Sequence, residues 1–256
     1  MFSRAIVRPP AASFAAGLTS ADLGKPDLVL AQAQHADYCA ALERCGLQLT
    51  RLDADPDFPD STFVEDTAIV TDAFAVLTRP GAAVRAGEVA RIEPALRGIF
   101  ARVHTVEAPG TVDGGDICQA AGHFFIGVSE RTNEEGARQL GAILAQEGCT
   151  SALVDIRGIH GILHLKSGIS HLGERRVVAI DALAHHPAFR GYDIVRIAPE
   201  ESYAANFLRI NDHVIVAAGH LQFAATVRAL GHEVIALDMS EFRKMDGALS
   251  CLSLRF

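Results

Sequence analysis

The feature that most constrains this chain is a recurring order of elements, in which two period-2 segments joined by a polar turn are followed by a helical pattern and then by another short strand pattern. Helical patterns fall at about 26–45, 84–100, 133–147, 183–188 (short) and 220–231. Each is followed by a strand pattern, at 47–53, 102–108, 151–156, 192–198 and 233–239. Hairpin patterns occupy 63–70 with 73–80, DICQAAG with HFFIGVS, SGISHLG with RRVVAID, and NFLRIN with HVIVAAG. The unit is ββαβ. Four hairpins are contiguous, and the fifth has to be assembled from the last strand, CLSLRF at 251–256, beside the first, FSRAIVR at 2–8. Chain ends that complete one shared repeat close a ring. Units of this size bury their faces only against neighbours, so five around an axis predict one domain over residues 1–256, with pseudo-fivefold symmetry and a site at the axis.

Composition narrows the partners. Hydrophobic residues make up 49% of the 256 and charged residues 21%, as in an ordinary globular protein. A net charge of -8 and a pI near 5.7 speak against nucleic acid and anionic membranes, both of which need a basic face. A small-molecule substrate is expected instead. Arg8, Pro9 and Pro10 stand where a signal peptide would carry its apolar run, and no stretch approaches eighteen uninterrupted apolar residues, so a cytoplasmic location is expected. Five cysteines, at 39, 45, 118, 149 and 251, form an odd set without CxxC spacing, which fits reduced thiols. Cys39, Cys45, Cys118 and Cys149 lie in or beside apolar patterns, where a thiol behaves as a small hydrophobe.

Phosphate-loop, dinucleotide, HExxH and GxSxG signatures are missing. His160 and His164 are four apart, but Gly158 and Gly161 disfavour a helix there, so no metal site is expected from them. Four polar segments stand at predicted strand ends: FPDSTFVED with Asp60, Glu65 and Asp66; APGTVDGGD with Asp113 and Asp116; GILHLKS with His164 and Lys166; and DGALSCLSLRF with Cys251. Carboxylates, a histidine and a thiol are thereby brought toward one place. A thiol becomes a strong nucleophile once it loses its proton, an imidazole can take and return that proton, and a carboxylate on its other nitrogen fixes the tautomer. Singly, each residue has a plainer explanation: Cys251 or His164 in the core, the diglycine as a tight turn, Asp60 in a turn after Pro59.

Together these segments resemble the dimethylarginine dimethylaminohydrolase family of the guanidine-modifying superfamily. The match runs nearly end to end, through GLTSADLGKPD, FPDSTFVED, TRPGAAVRAGE, EAPGTVDGGD, ERTNEEGARQL, LHLKSGI, EESYAAN and RKMDGALSCLSLRF. The resemblance implies an α/β fold, a five-bladed α/β propeller of ββαβ modules, in agreement with the repeat. It implies Cys251 as nucleophile, His164 as acid and base, and Asp113 as the group orienting His164. Asp66, with Glu65, would hold the guanidinium, and Arg85 and Arg131 the α-carboxylate. Asp60 would touch substrate, and the backbone oxygens of Leu18, in a lid-like loop, and of Met245 would receive the α-ammonium. Asp116 is read as bonding the turn it follows. A homodimer is the one macromolecular association entertained.

The implied chemistry accounts for the residue types. A guanidinium is cationic and resonance-stabilised, so the site must supply negative charge and a strong nucleophile. Attack by Cys251, protonation of the leaving amine by His164, and hydrolysis of a thiouronium intermediate would give citrulline without a cofactor. Arginine deiminases, the nearest rival, carry an aspartate two residues after the catalytic histidine to pair with unsubstituted guanidinium nitrogens. Lys166 stands there in this chain. A dimethylated nitrogen offers no N–H, and a carboxylate facing it would be buried unpaired, so Lys166 favours a methylated substrate. An amidinotransferase, though those chains are generally longer, and a non-catalytic binding module of the same fold also stay open.

Overall fold

The side chain of Asp27 accepts the backbone N–H groups of Val29 and Leu30, and so opens helix α1 (Leu28–Arg44). Asn133 caps α3 (Glu134–Gln146) in the same way through the Gly136 amide, after α2 (Glu88–Ile99). Two further helices, α4 (Leu221–Ala229) and the single turn α5 (Ser240–Arg243), complete the set. The computed structural model describes residues Met1–Phe256 throughout. No helix is long and apolar enough to cross a membrane.

The strands form five separate three-stranded sheets with one pattern. A tight turn can join only antiparallel neighbours, while a helical crossover returns the chain parallel. Each middle strand accordingly has one antiparallel and one parallel partner. The chain divides into two compact units, Met1–Glu65 with Phe207–Phe256, and Asp66–Asn206. In the first unit, Arg4–Val7 pairs antiparallel with Ser253–Arg255 and parallel with Gln48–Arg51. The chain ends thus complete one blade, as the repeat requires. Its other blade is Leu208–Ile210, His213–Ala217 and Glu233–Leu237.

The second unit holds three blades: Ala68–Val70, Ala75–Leu77 and Val103–Thr105; Ile117–Ala120, His123–Val128 and Thr150–Asp155; and Ile169–Gly173, Arg176–Ala179 and Asp193–Arg196. Strand alternation ties them together. Phe124, Ile126 and Val128 join Leu140 and Leu144 of α3 in one core, whereas Phe125, facing the other way, joins Val154, Leu165, Ile169 and Val177 in the next.

Three local expectations are corrected. The helix expected at 183–188 is a run of turns ending in a 3₁₀ turn, Pro187–Phe189. His186 precedes a proline, is held extended at ψ 133°, and cannot continue a helix. The FVED segment is not strand either, since Val64–Thr67 forms a 3₁₀ turn and the strand starts at Ala68. Cys251 lies in the 3₁₀ turn Leu249–Leu252, and the last strand starts only at Ser253. In both cases the site residues sit on the turn entering the strand.

Candidate active site

In the unit Asp66–Asn206, the chain around His164 is fixed by its apolar neighbour. Leu165 is fully buried, a contribution of about 2 kcal/mol that anchors the 3₁₀ turn Leu165–Ser167 immediately after the histidine. His164 Nε2 donates to Asp113 Oδ2 at 3.0 Å, and Asp113 Oδ1 accepts the Gly81 amide at 2.8 Å. The carboxylate is therefore held from both sides and fixes the Nε2–H tautomer, leaving Nδ1 to exchange a proton. Asp113 is wholly buried and His164 is 7% exposed.

The diglycine does more than turn the chain. A Cβ on Gly115 would stand 2.6 Å from His164 Nδ1 and 3.0 Å from Asp66 Oδ1. Only a hydrogen fits there, and the Gly115 amide donates to that same Asp66 oxygen at 2.8 Å. Asp66 Oδ2 accepts from Arg85 Nη1 at 2.6 Å. Burial alone would raise the Asp66 carboxyl, but His164 and then Arg85 outweigh it and bring its pKa to about 2. For His164, burial opposes the charged form, while the carboxylates of Asp66, Asp113 and Asp116 raise its pKa to about 9. The carboxylates thus favour the imidazolium form of the ring.

Arg85, expected at the α-carboxylate, is buried and bonded to carboxylates of the protein: Nε and Nη2 donate to Glu88 at 3.0 and 2.8 Å, besides the bond to Asp66. Arg131 Nη1 lies 3.7 Å from Asp113 Oδ2, a looser ion pair. Its backbone passes so close to Gly81 that no Cβ fits there.

The unit Met1–Glu65 with Phe207–Phe256 carries the remaining expected residues. Cys251 is partly exposed on its turn, between the buried Ser250 and Leu252. The Ser250 hydroxyl donates to Glu65 Oε2 at 2.7 Å, and Arg255 Nη2 donates to Oε1 at 3.0 Å. Arg255 also donates to the Ser250 and Ser253 carbonyls, at 3.1 and 2.7 Å, so one cation ties Glu65 to the cysteine's turn. Asp60 accepts the Leu18 amide on both oxygens at 3.1 Å. Gly17 makes this possible, because a Cβ there would run into the Asp60 carboxylate. Met245 is buried and Leu18 is 40% exposed.

Asp66, Asp113 and His164 are the one group with metal-ligating proximity, their ligand atoms lying within 4.8 Å of one another. Their polar atoms already serve other bonds, and Arg85 supplies the cation beside Asp66. The trio fits proton handling better than metal binding. Asp116 departs from its expected turn-bonding role: its partners are Leu165, Ser129 and Thr132, none of them in the turn it follows. Sequence reasoning also passes over Glu88, Ser250 and Arg255. The signals for them are an acid three residues after Arg85, a hydroxyl next to Cys251, and a cation in an otherwise apolar last strand.

No protein-family model matches the chain. It is 44% identical to the N(G),N(G)-dimethylarginine dimethylaminohydrolase of Pseudomonas aeruginosa over 257 aligned positions, with 100% of both chains covered. The chain belongs to the dimethylarginine dimethylaminohydrolase family. A cysteine-to-serine variant of the enzyme from P. aeruginosa, solved with citrulline, superimposes with a TM-score of 0.97 at 44% identity, covering 100% of each chain. A histidine-to-glycine dimethylarginine dimethylaminohydrolase, solved as an adduct with S-methyl-L-thiocitrulline, gives 0.96 at 44% identity and the same coverage. The fold is thus the guanidine-modifying α/β propeller, with five ββαβ-type blades.

Proposed function

We propose that the chain hydrolyses Nω-methylated arginine to citrulline and methylamine or dimethylamine, with Cys251 as nucleophile, His164 as acid and base, and Asp113 orienting His164. What carries this reading is the buried Asp113–His164–Asp66 cluster, an oriented imidazole beside a carboxylate kept ionised, in a chain of this family. The relatives that hold citrulline and an S-methyl-L-thiocitrulline adduct are cysteine and histidine variants, which supports a thiol and an imidazole as the working groups.

The Cys251 thiolate forms a bond to the guanidinium carbon, and the imidazolium of His164 gives its proton to the methylated nitrogen as the C–N bond breaks. A thiouronium remains on the sulfur. Neutral His164 then takes one proton from water as the oxygen attacks, and the C–S bond breaks as the remaining O–H proton passes to solvent, releasing citrulline and thiolate. Asp66 and Glu65 supply negative charge to the guanidinium. The backbone oxygens of Leu18 and Met245 bind the α-ammonium, Asp60 touches substrate, and Arg131 with Arg85 binds the α-carboxylate. For Arg85 that contact has to coexist with its bonds to Asp66 and Glu88.

We further read residues 1–256 as one domain, located in the cytoplasm and forming a homodimer; its five cysteines are free thiols. Incubation with dimethylarginine tests the function. Citrulline and dimethylamine in equal amounts support it, whereas ammonia from unmethylated arginine would point to a deiminase, and amidine transfer to an added amine to an amidinotransferase.

A further inference from the structure

We propose that Asp116 is a positioning residue for the reaction, setting His164 and Asp113 in register through Leu165 and Thr132. The proposal rests on the assignment of acid and base chemistry to His164. Asp116 is fully buried. Its Oδ1 accepts the Leu165 amide at 2.9 Å, the first peptide N–H after the histidine. Its Oδ2 accepts the hydroxyls of Ser129 and Thr132, at 2.7 and 2.6 Å. The Thr132 oxygen in turn accepts the Asp113 amide at 3.1 Å. One carboxylate therefore joins the histidine's turn to the backbone of the residue that orients the histidine. The Ser129 oxygen also accepts the amides of Arg131 and Thr132, both at 3.0 Å, so the turn carrying Arg131 hangs on the same group.

Space has been cleared for this carboxylate. A Cβ on Gly127 would stand 3.0 Å from Asp116 Oδ1 and 2.8 Å from the Leu165 Cβ. Burial pushes the Asp116 carboxyl up, but all three partners are donors. Both hydroxyl oxygens already receive backbone N–H groups, so a protonated Asp116 would face donors it cannot satisfy. The site holds a carboxylate, whose charge is among those favouring the His164 imidazolium. A purely structural residue would need neither that charge nor the link to the Asp113 amide.

Two variants separate the roles. Asp116→Asn keeps the shape and removes the charge. A loss of kcat of about tenfold or more, with KM nearly unchanged and the His164-dependent limb of the pH profile moved to lower pH, is expected. Thr132→Val keeps the Asp116 charge and its bonds to Leu165 and Ser129 but removes the hydroxyl that joins Asp116 to the Asp113 amide; it should also lower kcat, and Thr132→Ser should keep it. NMR titration of His164 in the unliganded protein reads the same shift without substrate, so it stays decisive if methylarginine proves not to be the substrate. A folded Asp116→Asn protein with the parent's kcat and titration curve would overturn the proposal. If Asp116→Asn does not fold, equal kcat for Thr132→Val and Thr132→Ser would overturn it.

Discussion

His164 caps, and Cys251 lies within, a short 3₁₀ turn at the entry to a strand, yet their surroundings are opposite. The histidine is buried among three carboxylates whose partners are fixed. The cysteine is partly exposed, and the turn that carries it is tied to the Glu65–Arg255 ion pair through the Ser250 hydroxyl and carbonyl. On the proposed assignment, charge is concentrated where a proton has to be held and released, while the nucleophile keeps access. The two turns should therefore fail in different ways. Cys251→Ser should lower turnover by about 10⁴-fold or more while leaving thermal unfolding and product affinity close to the parent's. Serine variants of Cys39, Cys45, Cys118 and Cys149 should keep full chemistry. Undiminished turnover by the Cys251 variant, measured as citrulline release, would show that the nucleophile lies elsewhere.

Crowding the histidine's turn gives the next largest effect. Gly115→Ala puts a methyl group 2.6 Å from Nδ1, so ring or backbone must move by several tenths of an ångström. A misplacement of about 1 Å can cost about 10²-fold in kcat, so a loss of about tenfold or more is expected here. The chemistry should suffer while Cys251 remains open to iodoacetamide, and the ratio of alkylation rate to kcat, parent against variant, reads the separation. Loss of both together would mean that the two turns respond as one unit.

The same contrast marks what can be read in the chain. The ββαβ repeat and the pairing of the chain ends are legible because strand alternation and helical periodicity are local signals; all five sheets repeat the strand order and four of them the helix. Gly115 is legible only as a turn residue, because the reason for its missing side chain is the approach of His164, forty-nine positions away. Asp116 misleads for a similar reason: an acid after two glycines has an obvious local bond, and nothing local announces Leu165, Ser129 and Thr132. Arg255 closes a network with Glu65 that exists only once the last strand lies in the first blade. The expected helix at 183–188 fails on a local rule, the residue before Pro187, that the apolar pattern conceals.

Stability against pH should distinguish the turns as well. The folded pKa of His164, about 9, exceeds the ordinary 6.5, so the imidazolium stabilises the fold. That contribution is fully present below pH 6.5 and is lost as pH rises from 6.5 through 9. Its size is on the order of 3 kcal/mol. Urea unfolding between about pH 6 and 9 should fall more steeply for the parent than for His164→Gln, whereas Cys251→Ser should follow the parent until thiols ionise. Asp66 is depressed to about 2, so its stabilising contribution persists at neutral pH and disappears only in acid. Parallel curves for parent and His164→Gln would show that the carboxylates do not favour the charged ring.

The smallest effect is expected in the loop that follows Gly17, where neither turn is touched. Leu18 is tied down by its amide to Asp60, Thr19 by its hydroxyl to the Lys244 carbonyl at 2.9 Å, and Ser20 by its amide and hydroxyl to Asp246 Oδ2 at 2.5 and 2.9 Å. Asp246 adopts φ 56°, a left-handed conformation that orients it beside Met245 and brings its carboxylate to the loop. If Leu18 and Met245 offer backbone oxygens to the substrate's α-ammonium, their separation depends on these contacts. Ser20→Ala removes one exposed hydroxyl bond and keeps the amide bond, worth roughly 0.5–1 kcal/mol, so KM should rise about two- to fivefold with kcat unchanged. A capped substrate without the α-ammonium should show no rise. A lower kcat with unchanged KM would instead tie this loop to the chemical step, and the division between a buried, charged imidazole and an accessible thiol would have to include it.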